Sequence, residues 1–311
     1  MVAIHDEIIS ARMSGADPAV ARRKSMHWTP RRERFRAVLA GDRCVYPASV
    51  FDPVSARIAE DLGFEIGMLA GSIGSLAVLG APDLIVLTLT ELAEQALRIN
   101  RAGALPLLVD ADHGYGNALN VKRTVEELET AGVAALTIED TALPQPFGEV
   151  GQTRLISLEE GVGKMRAALE GRQDPSLVVA ARTSAMQVGG VEETIRRVRA
   201  YAAVGVDAVF LAGVNTRDQL DAVAAEVKLP LLLARVAPAI ADLDYLSQRN
   251  VRVALQGHLP FMAMMQAVHD TMKALRDGVP PNKVPGVAPE EVVKRLTRDE
   301  DYRRWTQEFL S

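Results

Sequence analysis

The chain has 311 residues, 48% hydrophobic and 24% charged, enough to bury one large α/β core. Its 35 basic and 40 acidic residues leave a formal charge of −5, and its aromatics are few, which argues against a nucleic-acid surface; no stretch reaches the ~18 consecutive apolar residues of a membrane helix. Cys44 is the single cysteine, so no intramolecular disulfide can form, and the N-terminal MVAIHDEIISAR lacks the basic-then-apolar order of a signal peptide, which together point to the cytoplasm.

Residues 1–30 carry weak signals, with a helix expected at 5–13 and another at 30–40. A rhythm then begins. Cys44–Phe51 reads as a strand, and Asp52-Pro53 opens a helix with a good N-cap and a proline at its first position. Ile66–Ala70 reads as the second strand, closing in Gly71-Ser72, and a helix follows around Thr90–Arg101. The third strand, Leu105 to Val109, runs into Asp110, Asp112 and the glycine-rich turn His113-Gly114-Tyr115-Gly116. Residues two apart on a strand share a face, so Asp110 and Asp112 are expected to project together. Asn120 is placed as the cap of the next helix. The fourth strand, Ala134 to Ile138, ends in Glu139 and Asp140. Residues 141–157 hold two prolines and two glycines without a period and read as a long loop, of the kind that forms lids. Ser157-Leu158-Glu159-Glu160 is a capping-box pattern. Strands at Leu177–Ala181, Ala208–Ala212, Leu231–Ala234 and Val251–Gln256 alternate with helices near 191–204, 216–227, 240–248 and 261–276. A proline-rich linker, Gly278–Pro289, precedes a helical pair at about 290–309. Eight strands, each followed by a helix, favour a (β/α)8 TIM barrel at 31–276, flanked by an N-terminal extension at 1–30 and a C-terminal helical extension at 277–311.

In such a barrel the chemistry sits at the carboxyl ends of the strands. Those ends carry Gly71-Ser72, Asp110 and Asp112, Glu139, Arg182 and His258. Converging carboxylates are the oxygen donors Mg²⁺ prefers. Arg182 reads either as an ion-pair partner of Glu139 or Asp140, or as a planar fork for a substrate carboxylate. His258 reads either as a satisfied core histidine or as a proton donor. Cys44, inside an apolar strand, reads as an inert buried thiol.

The Gly71-Ser72 turn, Pro82-Asp83, DADHGYG, TIED and ARTSA together resemble the phosphoenolpyruvate mutase/isocitrate lyase superfamily over roughly residues 30–275. SVFDPVSARIAEDLGFE, DADHGYGNALNV, LTIEDT and the histidine after strand eight resemble its oxaloacetate decarboxylase branch. The resemblance implies a Mg²⁺-dependent barrel, Mn²⁺ being able to substitute, that acts on 2-oxo acids or on alkoxides of hydroxy diacids. It also implies a dimer of dimers with the eighth helix exchanged between subunits. By the same resemblance Asp110 binds the metal directly, while Asp83, Asp112 and Glu139 hold metal waters. Gly71 and Ser72 then grip the substrate, and Arg182 grips a carboxylate. Lyase members carry a cysteine in the loop after strand four; here 141–157 has none, and its one carboxylic acid is Glu149. The expected reaction is therefore decarboxylation of oxaloacetate to pyruvate and CO₂ through a metal-stabilised enolate. The alternatives are a C–C lyase on a 2-hydroxy diacid and a C–P bond enzyme.

Overall fold

The computed structural model describes residues 28–148 and 151–311; the expected helix at 5–13 and Glu149 lie outside them. The first helix, α1 (Thr29–Ala40), begins one residue earlier than expected and lies at the amino ends of the strands. Its Arg32 is buried there, donating from Nε to the Val133 carbonyl and from its other guanidinium nitrogens to Asp174 and the Glu129 carbonyl.

The barrel elements follow in turn: β1 (Ala48–Ser49), α2 (Pro53–Asp61), β2 (Gly67–Leu69), α3 (Gly71–Gly74), α4 (Leu89–Ala102), β3 (Leu107–Asp110), α5 (Ala118–Thr130), β4 (Ala135–Glu139) and α6 (Leu158–Gly171). Then come β5 (Val178–Thr183), α7 (Ala185–Val188), α8 (Gly190–Val204), β6 (Ala208–Leu211), α9 (Arg217–Glu226), β7 (Leu231–Leu233), α10 (Leu243–Gln248), β8 (Val251–Ala254) and α11 (Leu259–Arg276). The strands form one parallel eight-stranded sheet in sequential order. Val45, just ahead of β1, bridges Val253 in parallel through hydrogen bonds to Arg252 and Ala254. The last strand thus meets the first, and the sheet curls in the manner of a (β/α)8 barrel.

Local signals placed most boundaries. Asp52 caps α2 as expected, accepting from the Ser55 amide at 2.6 Å, while the Ser55 hydroxyl accepts from the Asp52 amide. Ser157 caps α6 by accepting from the Glu160 amide at 3.1 Å. Three expectations need correction. The cap of α5 is Asn117, not Asn120; Asn120 sits three residues on, and its side-chain oxygen accepts from the Asn117 amide. After β2 the chain does not run as a plain turn but winds into α3 and a π-helical turn at Ser75–Leu79. Between β7 and β8 a 3-10 turn at Pro238–Ile240 breaks off before α10, which Asp242 caps.

The larger cluster fills the barrel with residues such as Leu108, Phe210, Leu232 and Val253 and extends behind β3 and β4, where Val109 and Leu136 face the helix layer, while an outer cluster, including Val209, Leu211, Leu231 and Leu233, lies between the sheet and helices α9 and α10. The period-two alternation of β6 and β7 assigns each residue to one cluster or the other. Cys44 belongs to the outer cluster, and burial pushes its thiol up to about 12, in keeping with a buried thiol. The last two helices, α12 (Glu290–Thr297) and α13 (Asp299–Leu310), complete the expected extension; Leu296 of α12 is buried, and its carbonyl accepts from Arg57 of α2. Among the described residues no helix is long and apolar enough to cross a membrane.

Candidate active site

The parallel register of β3 to β6 assembles the centre. Asp110 lies beside Thr137, Glu139 beside Arg182, and Arg182 beside Phe210. Side chains at paired positions face the same way, so two acids, a hydroxyl, a guanidinium and a ring line one patch at the carboxyl ends of the strands. Asp110 Oδ1 accepts from the Thr137 hydroxyl at 3.0 Å, and its Oδ2 pairs with a terminal nitrogen of Arg182. Arg182 Nε stands 3.2 Å from Glu139, and its guanidinium carbon lies 5.6 Å from the centre of the Phe210 ring. Burial opposes the charge on Arg182, but Asp110 and Glu139 outweigh it and hold the guanidinium above its ordinary value. Of the two partners open to Arg182, Glu139 is its own, joined by Asp110.

Asp140 has a different fate. One Oδ accepts from Tyr201 at 2.7 Å and from Arg197 at 3.0 Å, both on α8. Adjacent residues at a strand end face opposite sides, so Glu139 enters the barrel mouth and Asp140 enters the helix layer.

Asp112 does join Asp110, but not by strand alternation. The strand ends at Asp110, and Asp112 has φ +47°, in the left-handed region. A tight turn, with the Gly114 amide donating to the Ala111 carbonyl at 2.9 Å, brings the second acid beside the first, the Asp112 amide donating to Asp110 Oδ1 at 3.3 Å. The carboxylate comes to rest against Gly71, where a Cβ would lie 2.3 Å from Asp112 Oδ1. Only glycine admits that approach, which explains the Gly71 that follows β2. Tyr115 donates to Asp112 Oδ2 at 3.3 Å. Burial, then the charges of Asp110, Glu139 and Asp83, raise the Asp112 carboxyl well above its ordinary range. Glu139 is raised by burial, with Arg182 opposing. Asp83 lies on the exposed loop before α4, and partial desolvation, then Asp110, raise it too. Crowded, desolvated carboxylates of this kind are what a bound cation relieves. Among the described residues no three His, Cys, Asp or Glu side chains converge as a direct metal cage. Mg²⁺ commonly takes one or two carboxylates and keeps several waters, so this oxygen-donor set fits the ion.

His258 follows β8 and precedes α11; its Nδ1 lies 2.9 Å from the Ser49 hydroxyl on β1. Burial lowers its pKa, with the Asp110 charge acting in the opposite sense. The structure therefore brings Gly71, Asp83, Asp110, Asp112, Glu139, Arg182 and His258 to one end of the barrel, and Ser72 sits beside Gly71 in the first turn of α3.

Sequence reading missed Thr137, Tyr115, Ser49 and Lys164. Thr137 was accessible, since it lies two residues before Glu139 on the same face. Lys164 had one faint signal, a lysine among Gly161, Met165 and Ala168 on the buried face of α6. The ends of the 141–157 loop are zipped together: Thr141 bridges Leu155, and the Ala142 amide donates to the Arg154 carbonyl at 2.7 Å.

The chain is similar to known proteins over most of its length. Oxaloacetate decarboxylase of Rhodopseudomonas palustris (strain BisB18) is 58% identical over 273 residues, 88% of this chain and 94% of that protein. Oxaloacetate decarboxylase of Bradyrhizobium diazoefficiens is 58% identical over 274 residues, 88% of this chain and 95% of that protein. Among solved structures, phosphonopyruvate hydrolase in complex with oxalate and Mg²⁺ superposes with a TM-score of 0.78 at 29% identity, covering 90% of this chain and 99% of that one. Oxaloacetate acetylhydrolase bound to 3,3-difluorooxalacetate does so at 0.79 and 28%, covering 90% and 97%. The sequence pattern of the phosphoenolpyruvate phosphomutase family matches residues 35–276, and with it the chain belongs to that family.

Proposed function

We propose that this chain is a carboxy-lyase that converts oxaloacetate to pyruvate and CO₂ through an enolate, with Mg²⁺ as cofactor. The observation that carries the reading is the Asp110–Arg182–Glu139 arrangement at three adjacent strand ends, in a chain 58% identical to proteins named oxaloacetate decarboxylase. Asp110 would hold the metal directly, with Asp112, Glu139 and Asp83 on its waters. When bound, Mg²⁺ supplies Lewis-acid stabilisation of negative charge developing on the substrate. Arg182 binds a substrate carboxylate through its planar fork. The Gly71–Ser72 segment lies beside the acids and receives the substrate's oxygens on its backbone. The C3–C4 bond breaks, CO₂ departs, and the electron pair moves onto the C2 oxygen. His258, or a water it orients, then returns a proton to C3. Ser49 holds the other ring nitrogen.

Oxalate copies the planar enolate, and such mimics bind at least about 100-fold tighter than substrate. Steady-state inhibition with Mg²⁺ present is therefore expected to give an oxalate Ki below the oxaloacetate KM by that order. An oxalate Ki no better than that of acetate would dismiss the enolate route.

The lyase alternative needs an acid in the 141–157 loop, and Glu149 is the one available. A decarboxylase needs only closure there to exclude water. Glu149→Gln is expected to lower kcat for oxaloacetate by less than roughly tenfold, about 1.4 kcal/mol. A loss on the order of a thousandfold would favour loop-borne acid chemistry and the lyase reading.

The proposed assembly is a dimer of dimers in which α11 is exchanged between subunits. The helix buries Phe261 but exposes Met262, Met265, Val268, Met272 and Leu275. A matching apolar groove, lined by Phe51, Val54, Ile58, Leu62, Phe64 and Met264, lies beside its start. An unpaired apolar face and an open apolar groove on one molecule suit reciprocal exchange between copies. Light scattering after gel filtration is expected to give four times the 33.6 kDa chain mass, and a monomer at micromolar concentration would refute the exchange.

A further inference from the structure

Lys164 is a buried cation that the proposed reaction leaves unused. It sits on α6, is 2% exposed, and its ammonium donates to the His113 carbonyl at 2.8 Å. A lysine is almost never fully buried unless paired, and burying a charge without partners is costly. Here the partners are the turn carbonyl and the nearby charges of Glu160 on the same helix and of Glu139 and Asp140 at the end of β4, which act on the ammonium against the cost of burial.

The turn it touches has much to hold. Residues 112 to 116 include Asp112 at φ +47° and Tyr115 at φ +60°, neither of them glycine, so the backbone conformation is not one these residues favour alone. Helices of the barrel's outer layer restrain it at two neighbouring carbonyls. Thr124 of α5 donates to Gly114 at 3.0 Å, and Lys164 of α6 donates to His113. Of the two anchors only Lys164 also carries charge, so it fixes the turn and balances the neighbouring acids together.

We propose that Lys164 is a positioning residue, which by clamping the His113 carbonyl holds the 112–116 turn in the conformation that sets Asp112 beside Asp110 and its carboxylate against Gly71. The inference rests on the proposed Mg²⁺ role only for its effect on metal binding; the clamp itself is testable without metal. Lys164→Met removes the charge and the donor and keeps the aliphatic stem. Hydrogen exchange read by mass spectrometry on the metal-free protein should show the Asp112 and Gly114 amides exchanging on the order of tenfold faster. Segments in β4, α6 and α1 should keep wild-type protection. Unchanged exchange at the turn would overturn the clamp, as would an equal loss of protection across β3, β4 and α6, which marks general destabilisation. Should Lys164→Met not fold, Lys164→Arg keeps charge and donors and is expected to retain wild-type protection at the turn; a folded Lys164→Arg with an unprotected turn overturns the clamp equally. Calorimetric Mg²⁺ titration then measures the consequence. Lys164→Met should bind on the order of tenfold more weakly than wild type, and equal affinity would overturn the link to the acids. A wild-type protein that binds no Mg²⁺ would instead sink the cofactor proposal, with the exchange data still deciding the clamp.

Discussion

Asp110→Ala is expected to abolish Mg²⁺-dependent oxaloacetate decarboxylation, lowering kcat/KM by a factor on the order of a thousand or more, about 4 kcal/mol, while the protein stays folded. The reasons lie in where Asp110 stands. It is the last residue of β3, and its oxygens engage Arg182, Thr137 and the Asp112 amide. Removing it takes away the proposed direct metal ligand and one of the two acids that position Arg182. Residues at the carboxyl ends of barrel strands serve chemistry more than stability, and the apolar barrel filling lies below it. Activity and Mg²⁺ affinity should be measured on one sample, with circular dichroism as the folding control. Activity within a few-fold of wild type would remove Asp110 from the site.

The second large effect is on stability and separates two neighbouring acids. Asp140→Ala is expected to cost about 3 kcal/mol, at the low end for breaking a buried pair, because Arg197 keeps Glu193 at 2.6 Å and the Ile156 carbonyl at 2.9 Å. The pair is well buried, with side-chain exposures of 5% for Arg197 and 1% for Asp140. Tyr201 would lose its acceptor as well. Glu139→Gln, one residue earlier, should leave stability within about 1 kcal/mol and instead lower activity, because a neutral amide relieves the crowding of acids but holds Arg182 less firmly. Thermal unfolding of the two variants beside wild type checks this, with Asp140→Ala expected to melt roughly 5 °C lower. If both variants melt together, the division of labour between the two faces of β4 is wrong.

What the chain states locally, it states well. The caps at Asp52 and Ser157, the apolar runs of β3 to β8 and their spacing depend on neighbours a few residues away, so the eight-fold alternation of strand and helix was legible. Once that alternation implied a barrel, Asp110, Glu139, Arg182 and His258 fell at strand ends by counting alone. Errors arose where two local options compete: Asn117 and Asn120 are both good cap residues, and the first takes the cap while the second answers its amide in a capping box. What only the tertiary structure decided is which groups meet. Asp112 reaches Asp110 through a left-handed turn braced by Gly71, Thr124 and Lys164, from elements up to fifty-two residues away along the chain. Asp140 finds Arg197 and Tyr201 on a later helix, and Ser49 finds His258 across the seam of the barrel. Hydrogen bonds and charge pairs at such separations carry no period or spacing, because their geometry exists only after the sheet has curled. The exposed apolar face of α11 belongs with them: its sequence reads as an ordinary barrel helix, and only the folded chain shows that its own barrel leaves most of that face uncovered.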